Sequence, residues 1–238
     1  MPARPVRWAG SSPDMIPQLT AIALQNQWFE GGVRQQFWRD ARRFWQTADT
    51  FALRSLIQLR AHDLALADWH DVLRSRPDDL RSLPLGISLP AVQSTDLRQM
   101  AKDLTVHNIQ VVHFSEHAAA LPLDLAALRH AGLALSRSCH DLNGVQAAAA
   151  GHFTWAWLSP IFSTPSKPNI PAVDLEILAA AATQIPNYIC ALGGINAQNA
   201  NLVLRAGAAG VVCHRAAWSA QCENLCRTIA RAQGATVA

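Results

Sequence analysis

The sequence predicts a single (β/α)₈ barrel. Three observations lead there. The chain has 238 residues, half of them hydrophobic, which suits one domain with one substantial core. Short apolar runs of strand length alternate with longer amphipathic stretches of helical period. The alternation repeats eight times with short linkers, as expected of parallel strands closed on themselves. An open doubly wound sheet is the competing arrangement, but no G-x-G-x-x-G follows the first strand.

The elements follow in order. Residues 1–17, which contain prolines and no apolar core, read as an N-terminal extension, and 18–238 as the barrel domain. LTAIAL (19–24) is the first strand, and 32–47 is a helix with Phe37, Phe44 and Trp45 at helical spacing. SLIQLR (55–60) is the second strand, followed by a helix at 66–75; PLGISL (84–89) is the third, followed by a helix near 95–106. IQVVHF (109–114) precedes a helix at 123–131, LALSRS (133–138) one at 143–150, and TWAWLS (154–159) one at 174–183. NYICAL (187–192) leads through Gly193-Gly194 and Asn196 into a helix that stops at Ala206-Gly207. AGVVCH (209–214) is the eighth strand, with Ser219 as cap of a last helix to about Ala232.

Composition excludes several classes of function. A net charge of +3 is too weak for nucleic-acid binding. No apolar run reaches about 18 residues and the N-terminus is not a secretory signal, so no membrane partner and a cytoplasmic location are expected. Five cysteines, an odd number in a chain this long, do not suggest a disulfide framework. Cys222 and Cys226 sit four apart in a helical pattern without a matching pair, which favours packing over zinc.

In a parallel barrel the active site lies at the C-terminal ends of the strands. Those ends carry Arg60-Ala61-His62-Asp63, His113 to His117, Ser138-Cys139-His140-Asp141, Ser159 to Lys167, Gly193-Gly194-Ile195-Asn196 and His214-Arg215. The twin glycines let backbone approach a ligand and expose N–H groups to an anion, and Arg215 can fork onto phosphate oxygens. A tight turn without a ligand, and a surface ion pair, are the plainer readings of the same residues. Ser159, Thr164 and Lys167 offer hydroxyls and one of only two lysines. His140, at a strand tip, is the candidate for proton transfer because imidazole titrates near neutral pH. His62, His113 and His117 also sit near the mouth, without metal-site spacing.

At these tips the sequence resembles the thiamine phosphate synthase/TenI superfamily. The segments are QLRAHDL (58–64), VVHFSEHAAALP (111–122), SRSCHD (136–141), LSPIFSTPSKP (158–168), ALGGIN (191–196) and AGAAGVVCHRAAW (206–218). The SCHD, QLRAHDL and RAAW forms are most similar to TenI-like domains fused behind Nudix hydrolases. The resemblance implies two alternative activities: a magnesium-dependent synthase joining a pyrimidine pyrophosphate to a thiazole phosphate, and a metal-independent thiazole tautomerase. The sequence departs from the synthase pattern in three places. Arg60-Ala61-His62 replaces Arg-x-Lys, Ser88-Leu89-Pro90 replaces Asn-Asp, and Ser115-Glu116-His117 replaces a Gly-Gln-Asp-like segment. The tautomerase histidine falls on His140. The expectation is therefore a tautomerase with His140 as catalytic residue and no cofactor. Arg60, Ser138, Ser159, Thr164, Lys167, Gly193, Gly194, His214 and Arg215 would bind a small phosphorylated heterocycle. The alternatives are the synthase, with magnesium, and a barrel that binds the ligand without turnover. A homodimer and a functional link to a Nudix hydrolase complete the expectations.

Overall fold

The structure is a computed structural model and describes residues 16–28, 31–61, 66–89, 97–116, 122–166 and 168–234. Eight parallel strands close in sequence order: β1 (Leu19–Leu24), β2 (Ser55–Arg60), β3 (Leu85–Leu89), β4 (Ile109–Phe114), β5 (Ala134–Cys139), β6 (Trp155–Leu158), β7 (Ile189–Leu192) and β8 (Gly210–Cys213). The seam is the parallel pairing of Leu19 to Val211 and Ala21 to Cys213. The helices are α1 (Gln25–Trp28), α2 (Gly31–Thr50), α3 (Leu66–Arg74), α4 (Leu97–Val106), α5 (Pro122–His130), α6 (Leu142–Ala150), α7 (Leu175–Gln184), α8 (Ala200–Arg205) and α9 (Cys222–Ala232). The predicted barrel is thus the observed one.

The strands are near-continuous apolar runs because both of their faces are covered. One face meets the helices in a large cluster that includes Leu59, Leu85, Val112, Leu158 and Ile229. The other face fills the lumen with Ile22, Leu56, Val111, Trp155, Trp157, Cys190 and Val212. One lumenal position admits no side chain. At Gly86 a Cβ would lie 2.2 Å from the Gln58 side chain.

Above this apolar layer the lumen becomes polar. Gln58 Nε2 donates to Ser88 Oγ at 3.3 Å. His113 is hydrogen-bonded to Ser136 through Nδ1 and to Ser138 through Nε2, both at 2.9 Å. Its ring stacks on Trp157 with centroids 3.7 Å apart. Burial, with Arg60 adding repulsion, pushes the His113 pKa down to about 3, so the imidazole is neutral.

Differences from the sequence reading lie at element ends. The chain adds a helical turn, α1, directly after β1, and a 3₁₀ turn at Asp78–Leu80. Strand β6 stops at Leu158, because Pro160 has no N–H with which to continue a ladder. Ser219 is not the cap of α9. The helix starts at Cys222, and Ser219 Oγ instead donates to Ala216 O and accepts from the Gln221 N–H. All five cysteines are free, with Cys226 buried. No described helix is long and apolar enough to cross a membrane.

Candidate functional site at the barrel mouth

A cavity of about 580 Å³ opens where β6, β7, β8, β1 and β2 end. Seven of the predicted residues line it: Arg60, Ser159, Thr164, Gly193, Gly194, His214 and Arg215. Their convergence follows from parallel topology, which points every strand's C-terminal end to one face.

Gly193 and Gly194 are required by geometry. Their φ angles are +106° and +66°, in the region that favours glycine. A Cβ on Gly193 would lie 2.6 Å from Pro160 Cα, and one on Gly194 would lie 2.7 Å from Ser163 O. The two turns zip together there, with Ile161 N–H donating to Leu192 O at 2.9 Å and Phe162 N–H to Gly193 O at 3.1 Å. The N–H groups of Gly194 and Ile195 have no partner among the described residues. Both residues line the cavity, ahead of the helix that follows. The helix α8 begins only at Ala200, and the Asn196, Gln198 and Asn199 N–H groups of the intervening turn are bonded within it. Asn199 Oδ1 accepts from the Asn196 N–H, Asn196 Oδ1 from the Gln198 N–H, and Asn196 O from the Ala200 N–H. The helix expected to follow the glycines and Asn196 thus begins at Ala200.

Arg60 stands at the tip of β2 with its guanidinium pKa lowered by burial. It has no hydrogen-bond or ion-pair partner among the described residues. Arg215 is exposed on the turn after β8 and is likewise unpaired among them. No carboxylate lines the cavity among the described residues, so its charge is positive. A partly buried, uncompensated guanidinium is costly unless an anion completes it.

His140 takes a different place. It precedes α6, whose first turn is capped by Asp141 Oδ1 accepting the Gly144 N–H at 2.7 Å. Its Nδ1 is hydrogen-bonded to Ser159 O at 2.5 Å, and its Nε2 faces Glu116 Oε2 at 3.5 Å. Nδ1 is engaged by the Ser159 carbonyl, and the ring is not part of the cavity lining. His140 thus braces the back of the Ser159 wall. Ser138 points into the lumen against His113 and also lies outside the lining. Lys167, His62, Asp63 and His117 lie outside the described residues. Gln27, which the sequence reading passed over, holds His214, with Nε2 3.3 Å from Gln27 Oε1. Its position just past β1 is the signal that could have drawn attention to it.

Fold and site together define a (β/α)₈ barrel with a basic cavity at the C-terminal mouth of its strands. More particularly, the chain belongs to the thiamine monophosphate synthase (TMP-TENI) family, whose model matches residues 96–217. That stretch runs from α4 through β8 and contains the twin glycines. A thiamine-phosphate synthase of Mycolicibacterium vanbaalenii is 38% identical over 99 residues, 40% of this chain and 44% of the relative. One of Syntrophomonas wolfei is 27% identical over 160 residues, 66% of this chain and 71% of the relative. The match to the first thus spans less than half of that relative's length. Among solved structures, a thiamine phosphate pyrophosphorylase from Pyrococcus furiosus superposes with a TM-score of 0.67 at 14% identity, covering 91% of this chain and 97% of that one. An N-acetylmannosamine-6-phosphate 2-epimerase from Clostridium perfringens reaches 0.60, also at 14% identity, over 86% and 89%. Those two likenesses concern the fold alone.

Proposed function

We propose that the chain is an enzyme of thiamine phosphate formation that holds a thiazole phosphate at Gly193–Gly194 and joins it to a pyrimidine pyrophosphate with release of pyrophosphate. One observation carries this reading: the cavity has two unpaired cationic poles on different strand tips, Arg215 beside the twin glycines and Arg60 across β1. Two poles suit two phosphorylated reactants. The Gly194 and Ile195 N–H groups and Arg215 would hold the monophosphate, and Arg60 would spread the charge growing on the departing pyrophosphate. The names of the curated relatives favour the same reaction. Magnesium, which the resemblance implies for the synthase, needs hard oxygen ligands. The described residues do not fit it, since none lining the cavity is a carboxylate and Glu116 faces His140. No step is therefore derived through that ion.

A second reading, the metal-independent proton shift of a TenI-like tautomerase, is favoured by this same lack of lining carboxylates and by the imidazoles around the mouth. A functional link to a Nudix hydrolase belongs with a third reading, a barrel that binds the ligand without turnover. One pair of assays separates them. Incubation with both phosphorylated substrates and magnesium is expected to yield thiamine phosphate and pyrophosphate. If the folded protein forms no product there, yet converts the non-aromatic carboxythiazole phosphate without metal, the transfer reading is wrong and the second stands. Silence in both assays, with thermal stabilisation by thiazole phosphate, would leave a binding barrel without turnover.

A further inference from the structure

Among the described residues, the imidazole that lines the cavity is His214, just past the end of β8. Its hydrogen-bond partner fixes its tautomer. Gln27 Oε1 accepts the Leu24 N–H at 2.7 Å, so the oxygen of that amide is the atom turned towards His214. An acceptor oxygen requires the proton of neutral His214 to sit on Nε2. Nδ1 therefore keeps its lone pair, with no partner among the described residues.

The charges around this ring have one sign. Arg60 faces it from β2, and Arg215 is its neighbour on its own turn. Gln27 from α1, Leu192 to Asn196 from the β7 turn, and Ser159, Thr164 and Ser166 from the β6 loop contribute neutral groups, as does the buried Cys213 thiol below. Burial first, then the two guanidiniums, lowers the His214 pKa from its ordinary value.

We propose that His214, and not His140, is the proton-exchanging imidazole of this site, and that it takes up a proton together with the bound anion. The inference rests on the reading of the cavity as an anion site. An anion docked between Arg60 and Arg215 cancels their repulsion of the imidazolium and adds an attraction of its own. The proton comes from solvent to Nδ1, one per site at most, and leaves when the anion leaves. Protonated His214 then stands as an acid beside the ligand, and neutral His214 as a base.

The test uses inorganic sulfate, which does not itself titrate near neutral pH. Calorimetric titrations of the full chain at pH 7, in two buffers of different ionisation enthalpy, read the protons exchanged. A fractional proton uptake is expected for the unaltered protein, with affinity rising as pH falls from 7.5 to 6.5, by at most about tenfold for one proton over one pH unit. His214→Asn, checked for fold by circular dichroism, is expected to bind sulfate without uptake, and His140→Asn to keep the uptake. Sulfate binding without proton exchange in the unaltered chain overturns the proposal while leaving the anion site standing, as does uptake that survives in His214→Asn. Failure to bind sulfate at all removes both.

Discussion

Replacing His113 with Gln should flatten the acid side of the protein's stability profile. His113 is 5% exposed, stacked on Trp157 and bonded to two serines. Its pKa is about 3 in the folded chain and 6.5 when exposed on unfolding. The sign follows from linkage. Below pH 6.5 the unfolded chain binds a proton that the folded chain refuses. The stability is therefore full above pH 6.5 and declines as pH falls, until about pH 3. From pH 7 to pH 5 this one group should remove about 2 kcal/mol, at 1.36 kcal/mol per pH unit. His107 and His214 are lowered too, so they act in the same direction and remain in the variant. At pH 7 the variant should already be weaker by roughly 1–3 kcal/mol from the lost stacking and serine contacts. Urea unfolding of both proteins at pH 7 and pH 5 gives the comparison. The stability gap should close by about 2 kcal/mol between the two pH values. Equal pH slopes in the two proteins would show that His113 is not held neutral by the barrel, and would refute the reasoning.

Three further outcomes follow from the mouth. Gly194→Ala places a Cβ at φ +66° and 2.7 Å from Ser163 O, and should cost about 1–3 kcal/mol by chemical denaturation while weakening phosphate-ligand binding in calorimetry. Arg60→Met removes an unpaired, partly buried cation, so the protein should stay folded by circular dichroism while affinity for inorganic pyrophosphate falls about tenfold or more; unchanged affinity would put the pyrophosphate pole elsewhere. Trp218→Phe loses the 2.6 Å bond from its indole N–H to Ile22 O, which ties the turn after β8 to β1, and should lower stability by about 1 kcal/mol in the same denaturation assay.

The strands were legible because each is an apolar run covered on both sides, and LTAIAL, SLIQLR and IQVVHF have the same bounds in sequence and structure. Ends governed by proline and turn chemistry were less legible: β6 stops before Ser159, and α8 starts beyond a turn whose Asn196 and Gln198 N–H groups are held by its own asparagine side chains. Seven predicted site residues converge because a parallel barrel sends all strand tips to one rim.

The sequence by itself determined the eightfold alternation, the glycine pair and the positions of the polar strand tips, since these depend on local period and residue type. Only the tertiary structure decided which imidazole among the described residues meets the cavity. His140 and His214 both follow a strand, but a side chain's direction there depends on partners remote in sequence. The Ser159 carbonyl holds the first away from the cavity lining, whereas Gln27, 187 residues from His214, holds the second at it. No periodicity encodes a contact across that separation; it exists only once β8 has closed against β1.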